Sequence, residues 1–479
     1  MKCNGKFTGV KDIMLGNAKK IIFTILSQGL ILGLSVISGF ILPEKMGPEN
    51  FGYWQIYLFY LAYVNLFGLG FNDGIALFYA GYDYKKLPFQ KLRSSMRIVY
   101  AYLAIVCVVG IGLVSIFAKD GIYQSIYTAL VINIPLTCIQ CIVFNVFLSV
   151  GKSEIYNILN LILKVLTVGL YLCMLFMQKV DPMSMVVVDT FARFVITVVC
   201  IYLGREFLFG KCDGFKVGWN ELFEKCKSGL MITIAVISSM LMPMLGRYVV
   251  ELYEPIATYG IFSFSMSLLS IILSFTSVVG TVLFPLLKRM QTDAMTECYF
   301  DFSFISDTFV TLALYMYLPL LFIIQNIMQK YIPALDYLYI LLAMCIPLGR
   351  MQLLVMPYYK ANRMEKELLY ANLIGVVAMI GTLFSAYAIF KSVNVVAIGT
   401  TSVMVVWTFI AELFLHKKGE LKQVYKQTIA EIFIIITFCV AGSMKSYVPF
   451  LIIYTISVLV YFVCRKNNII ALKKYIKTR

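Results

Sequence analysis

Apolar runs of about 20 residues follow one another along the chain, each closed by a short polar break. A helix rises about 1.5 Å per residue, so such a run crosses a hydrocarbon core about 30 Å thick. The runs fall at roughly 20–42, 53–79, 97–118, 122–149, 155–178, 184–204, 229–250, 258–287, 302–325, 335–359, 367–390, 394–416, 428–444 and 447–464. They predict about fourteen transmembrane helices. The ten-residue alternation of a membrane barrel is missing, and only helices and closed barrels satisfy their backbone in lipid, so the fold class is an all-α polytopic membrane protein. No small-residue cleavage site follows the first run, which reads as a retained span rather than a secretion signal.

Composition sharpens this picture. The 479 residues are 61% hydrophobic and 14% charged. A net charge of +16 would point a soluble protein toward nucleic acid, but its distribution points to topology instead. Alternate inter-span segments, beginning with the N-terminus, hold 31 of the 41 Lys and Arg, and the intervening segments hold 7. By the positive-inside rule the rich segments and both termini are cytoplasmic. No nucleic-acid partner is expected. The 12 cysteines lie mostly in apolar runs, where Cys acts as a small hydrophobe. Cys138 and Cys141 form a CxxC with no second pair, and His416 is the only histidine, so neither a metal nor a cofactor is predicted.

The longest polar interruption, residues 205–228, divides the chain. It predicts an N-terminal lobe at 1–204, a cytoplasmic linker, a C-terminal lobe at 229–416, and an extra helix pair with a basic tail at 417–479. Pro48 to Gly52 enters the second span and Pro255 to Gly260 the eighth, each followed later by a Leu-Phe pair, as a parallel repeat would give; such repeats meet at a central substrate path. The segments MGPENFGYWQ (46–55), GLGFNDGIALFYAG (68–81), GRYVVELYEPIATYGIFSFSMSLLSIILSF (246–275) and VLFPLLKRM (282–290) carry a resemblance. Over most of its length the chain resembles the polysaccharide biosynthesis, or oligosaccharide repeat-unit flippase, branch of the multidrug/oligosaccharidyl-lipid/polysaccharide exporter superfamily. The resemblance implies two six-helix lobes around a central cavity, an optional C-terminal pair, and a bacterial cytoplasmic (inner) membrane location. It also implies transport of undecaprenyl-diphosphate-linked glycans for surface polysaccharide, beside a polysaccharide polymerase and glycosyltransferases as partners.

Three cations stand apart from the loop charges: Lys164, Arg193 and Arg350. Each lies about 14 Å from one end of its span, near mid-depth, where a charge costs several kcal/mol unless it meets a counter-charge or a wet cavity. Lys164 shares a helix face with Asn157, Asn160, Thr167 and Tyr171. Gln28, Ser35 and Ser38 on the first span, and Asn133, Thr137 and Gln140 on the fourth, form similar stripes. All three read as walls of a hydrated path. For Arg193 the alternatives are an i,i+4 ion pair with Asp189 or substrate contact. Arg350 follows Pro347 and Gly349, which can open a helix beside a polar path. Arg247 is near an outer helix end and either snorkels or joins the substrate site. On the eighth span Ser263, Ser267, Ser270, Ser274, Ser277 and Thr281 form a hydroxyl stripe of the kind that packs helices closely.

Asn72 and Asp73 interrupt NLFGLGFNDGIALFYAG about 30 Å below Tyr53, at the cytoplasmic mouth. They read either as an ordinary interfacial helix end or as part of an inner gate that closes by hydrogen bonding or by pairing with a base such as Lys85, Lys86 or Arg97. Asp189 reads as the only deep acid, and so as the coupling residue if an ion gradient drives the carrier. No GxxxxGK[ST] loop or sizeable soluble domain is present, which argues against an ATP-driven pump or an enzyme. The leading expectation is a flippase acting by alternating access, with Lys164, Arg193 and Arg350 holding the diphosphate. Alternatives are a lipid II flippase, a cation-coupled multidrug exporter, and a membrane scaffold for polysaccharide enzymes. The first span lacks both the acid expected of a multidrug exporter and the arginine expected of a lipid II flippase.

Overall fold

The computed structural model describes residues 18–118, 121–288, 292–362, 364–416 and 421–465. The basic ends used above, Lys2 to Lys11 and Lys466 to Arg479, lie outside these, as do Arg289, Arg363, Lys417, Lys418 and the side chains of Ser277 and Thr281. Every regular element among the described residues is a helix. Thirteen stretches of the described residues are long and apolar enough to cross a membrane, and the first, Leu26–Gly68, holds 43 residues, enough for two spans.

The chain forms two compact units, a first covering Ala18–Ile237 and a second that begins at Ser238. The first opens with α1 (Ala18–Leu61), in fact two helices joined at Gly47 with φ 74° and ψ 166°. Pro43 and Pro48 flank this joint and remove backbone donors there. The second predicted span is also interrupted. After a 3₁₀ turn at Val64–Gly68 the backbone turns left-handed at Leu69 and Gly70, then resumes as the short α2 (Phe71–Phe78). Four long helices follow: α3 (Phe89–Phe117), α4 (Gly121–Ser149), α5 (Ser153–Phe176) and α6 (Pro182–Leu208). Asp181 caps α6, its carboxylate accepting the Ser184 N–H at 2.9 Å. The polar stretch 205–228 is mostly helical, because α6 runs to Leu208 and α7 (Phe215–Tyr253) starts soon after. The division between units therefore falls inside α7.

The second unit contains α8 (Ile256–Lys288), α9 (Thr292–Ala313), α10 (Tyr317–Asn326), α11 (Leu338–Ala343), α12 (Cys345–Arg350), α13 (Met356–Ala361), α14 (Glu365–Phe390), α15 (Val393–Leu415), α16 (Leu421–Ser443) and α17 (Tyr447–Cys464). Three of these, α11 to α13, form one broken span. One π-helical turn at Met351–Val355 follows Arg350 directly. Tyr317, Phe438, Phe450 and Tyr454 are fully buried and pack α10, α16 and α17 together, with Tyr317 and Phe450 4.9 Å apart between ring centroids. Lipid is as apolar as these rings, so they hold the helices by close contact more than by escape from water. On α8 the Ser267, Ser270 and Ser274 hydroxyls donate to carbonyls one turn earlier on their own helix. They are thus satisfied without a ligand, as the packing reading of that stripe requires.

Candidate functional site

In the first unit four segments meet at Asp189, which is 2% exposed on α6. Tyr57 of α1 donates to its Oδ2 at 2.8 Å, and Tyr171 of α5 donates to Oδ1 at 2.9 Å. Arg193, one helical turn on, gives Nε to Oδ2 at 2.8 Å. Asn133 of α4 donates to the Tyr57 hydroxyl at 3.1 Å and to Thr190 at 2.9 Å. Gln140, also on α4, donates to the Arg193 carbonyl and to Thr197, both at 2.8 Å. Trp54 packs against both tyrosine rings and fixes their hydroxyls in place.

Of the two readings of Arg193, the i,i+4 ion pair with Asp189 is present, but it uses only Nε. The terminal nitrogens Nη1 and Nη2 make no hydrogen bond among the described residues, and the side chain retains 19% exposure. Lys164 of α5 is half-buried and within electrostatic reach of both Asp189 and Arg193, and its ammonium makes no ion pair among the described residues. An ammonium and half a guanidinium thus lie beside one satisfied acid. Asn157 is buried on the same helix, and Asn160 donates to the Tyr156 carbonyl at 2.9 Å.

Arg350 departs from the expectation of a cation facing water. It is 0% exposed, with Nε and Nη2 on Asp307 at 3.0 and 2.6 Å, Nη2 also 2.7 Å from Glu431, and Nη1 3.5 Å from Glu412. Tyr299 donates to Glu412 at 2.8 Å, and Arg465 at the end of α17 reaches Asp307 at 3.3 Å. Gly349 makes this possible. Any side chain there would meet Val310 of α9 at 2.6 Å, so glycine lets α9 bring Asp307 alongside the guanidinium. Asp189 is accordingly not the only buried acid. Arg247 is also packed rather than snorkelling, 6% exposed and 3.5 Å from the Ser263 carbonyl.

Near the start of α2, Asp73 makes no ion pair with a base among the described residues. It accepts from the Thr233 hydroxyl of α7, while Lys86 pairs with Asp83 in the loop at 3.1 Å. Asn72 is buried and donates to Asn65 at 2.7 Å. The glycines of NLFGLGFNDG serve backbone contact: Gly70 and Gly74 lie against the backbone of Gly229, Leu230 and Lys225, leaving no room for a β-carbon. Lys225 reaches across this contact to Tyr79 and is paired with Glu221. In the loop before α3, Tyr84 donates to Glu206; burial, and then that carboxylate, push its phenol up to about 12.

No protein-family model matches the chain, and no curated protein does. Solved structures do match. A structure of the lipid II flippase MurJ in an inward closed conformation superposes with a TM-score of 0.63, at 13% identity, over 94% of this chain and 98% of that one. An inward-facing multidrug resistance MATE family transporter of the MOP superfamily gives 0.59 at 12% identity, over 85% of this chain and 99% of that one. An outward-facing structure of such a transporter gives 0.57 at 11% identity, over 85% and 96%. The chain therefore has the fold of MOP-superfamily transporters, and identities this low establish the fold alone.

Proposed function

We propose that this protein is a flippase that carries undecaprenyl-diphosphate-linked oligosaccharide repeat units across the bacterial cytoplasmic membrane by alternating access. The observation that carries this reading is the pair of unused donors in the first unit, the Lys164 ammonium and the terminal nitrogens of Arg193. Inside a membrane span such donors call for an anion, and a diphosphate accepts from several at once. Asp189, held by two tyrosines, fixes the guanidinium so that its free edge is presented rather than folded back. Arg350 and Arg247 are omitted from the substrate site because both are buried against protein partners. Asn157 and Asn160 remain proposed glycan contacts along the Lys164 face, and Asn72 and Asp73 remain proposed inner-gate residues, now through α7.

Lipid II is the second reading, favoured by the near-complete mutual coverage with MurJ. Both substrates present a polyprenyl diphosphate, so the cationic pair would serve either. The test is translocation in proteoliposomes holding either the lipid-linked repeat unit or lipid II. Lys164→Ala combined with Arg193→Ala should abolish movement of the preferred substrate at normal folded-protein levels, and Lys164→Arg should retain much of it. Wild-type translocation of both substrates by the double variant would reject the site.

A further inference from the structure

Among the described residues, the charges clustered around Arg350 in the second unit do not balance. Asp307, Glu412 and Glu431 bring three carboxylates, while Arg350 and Arg465 bring two guanidiniums. A surplus charge in a low-dielectric interior is costly, and a carboxyl group removes it by taking up a proton. The donors are shared unequally. Asp307 receives Arg350 on both oxygens, and Gln427, Tyr461 and Arg465 approach its Oδ2 at 3.3 to 3.4 Å. Glu412 receives Tyr299. Glu431 fares worst: Arg350 Nη2 is 2.7 Å from its Oε1, but in an alignment that makes no hydrogen bond.

One turn earlier on α16, the Gln427 side chain is 1% exposed and gives its amide to Asp307, while its own Oε1 has no partner. A buried, orphaned acceptor one turn from an undersupplied acid needs a hydrogen between them. Among the described residues no group of three His, Cys, Asp or Glu is placed to hold a metal ion, and a proton is a cation that a carboxyl group and an amide oxygen can share.

We propose that Glu431 is a proton-binding site: its carboxylate takes one H⁺ from water, becomes a neutral acid whose O–H donates to Gln427 Oε1, and returns that H⁺ when the network opens. The groups facing it are Asp307 from α9, Arg350 from α12, Glu412 from α15 and Arg465 after α17. Tyr299, Tyr461 and His416 form the next layer, with His416 against the Tyr299 ring at 4.3 Å. With Glu431 neutral, two carboxylates face two guanidiniums and the cluster balances. This site is separate from the cationic pair of the first unit, and it places a titrating group where helices of the second unit converge.

Infrared difference spectra of the purified full chain, taken between neutral and alkaline buffer, read the carbonyl stretch of a buried carboxylic acid without any substrate. The wild type should show that band, Glu431→Gln should lose it, and Glu412→Gln should keep it. Where Glu431→Gln does not fold, Gln427→Leu keeps the band and moves it to higher wavenumber, because its acceptor is gone. Persistence of the band in Glu431→Gln, its loss in Glu412→Gln alone, or an unshifted band in Gln427→Leu overturns the assignment. So does a wild type with no band whose thermal stability is raised by Na⁺. Translocation plays no part in this readout, so it stands or falls separately from the substrate reading.

Discussion

Among the described residues, each unit buries a cluster of acid and arginine within its apolar helices, and the two clusters are out of balance in opposite directions. Around Asp189 there is one carboxylate for three donors, Tyr57, Tyr171 and Arg193, with Lys164 nearby and unpaired. Around Arg350 there are, among the described residues, three carboxylates for two guanidiniums. A cluster with donors to spare is suited to receiving an anion. One with acceptors to spare is suited to receiving a proton. Two arginines at the same estimated depth thus take different roles, and the ratio of acids to donors around each decides which.

The comparison breaks most readily at the arginines. Removing the only partner shared by three buried carboxylates should cost about 3–5 kcal/mol, so Arg350→Ala should largely eliminate folded protein from detergent-extracted membranes, read by size-exclusion profile. Arg193→Ala should leave that profile near wild type, because Asp189 keeps both tyrosines and the lost side chain was partly exposed. Equal losses for the two variants would mean that the clusters do the same structural job. The first unit should nevertheless have its own intolerant point. A β-carbon at Gly229 would press into the Gly70 carbonyl and the Gly74 nitrogen, both backbone atoms that cannot swing away. Gly229→Ala should cost about 1–3 kcal/mol, visible as a lowered unfolding temperature, whereas Gly169→Ala on α5, in open space, should change little.

Much of this was legible in the chain. Periodic apolar runs pointed to about fourteen spans, because length against bilayer thickness is a strong constraint, and the described residues hold thirteen such stretches, the first long enough for two; charge depth singled out Lys164, Arg193 and Arg350. The Arg193–Asp189 pair followed from i,i+4 spacing. Orientation within a helix was harder to read. Nothing in CIPLGRMQ says that Gly349 faces α9, and so nothing in it joins Arg350 to Asp307 some forty positions earlier. Glu412 lies near the C-terminal end of α15 and Glu431 near the middle of α16, and one arginine side chain from a third segment reaches both. For Asp73 the sequence left hydrogen bonding and a base partner such as Lys85 or Lys86 both open, and the partner, Thr233, lies on a helix far along the chain. Pairings within one helix could be derived, and pairings between helices could not.

Matching phenols sharpen the comparison at its finest level. Tyr57 donates to Asp189 and Tyr299 donates to Glu412, each at 2.8 Å and each from a fully buried ring, so replacing either by Phe removes the same group from the same kind of acceptor. A hydrogen bond to a charged group contributes roughly 1.5–3 kcal/mol, and the cost rises when the partner is left unsatisfied. After Tyr57→Phe, Asp189 still accepts from Tyr171 and Arg193, and the principal orphan is the Asn133 amide, which keeps Thr190. After Tyr299→Phe, the side-chain partner left to Glu412 among the described residues is Arg350 at 3.5 Å, in a cluster short of donors. Tyr299→Phe should therefore lower the unfolding temperature measurably more than Tyr57→Phe. If the order were reversed, the donor-rich and acceptor-rich descriptions would have to be exchanged, and the anion and proton assignments with them.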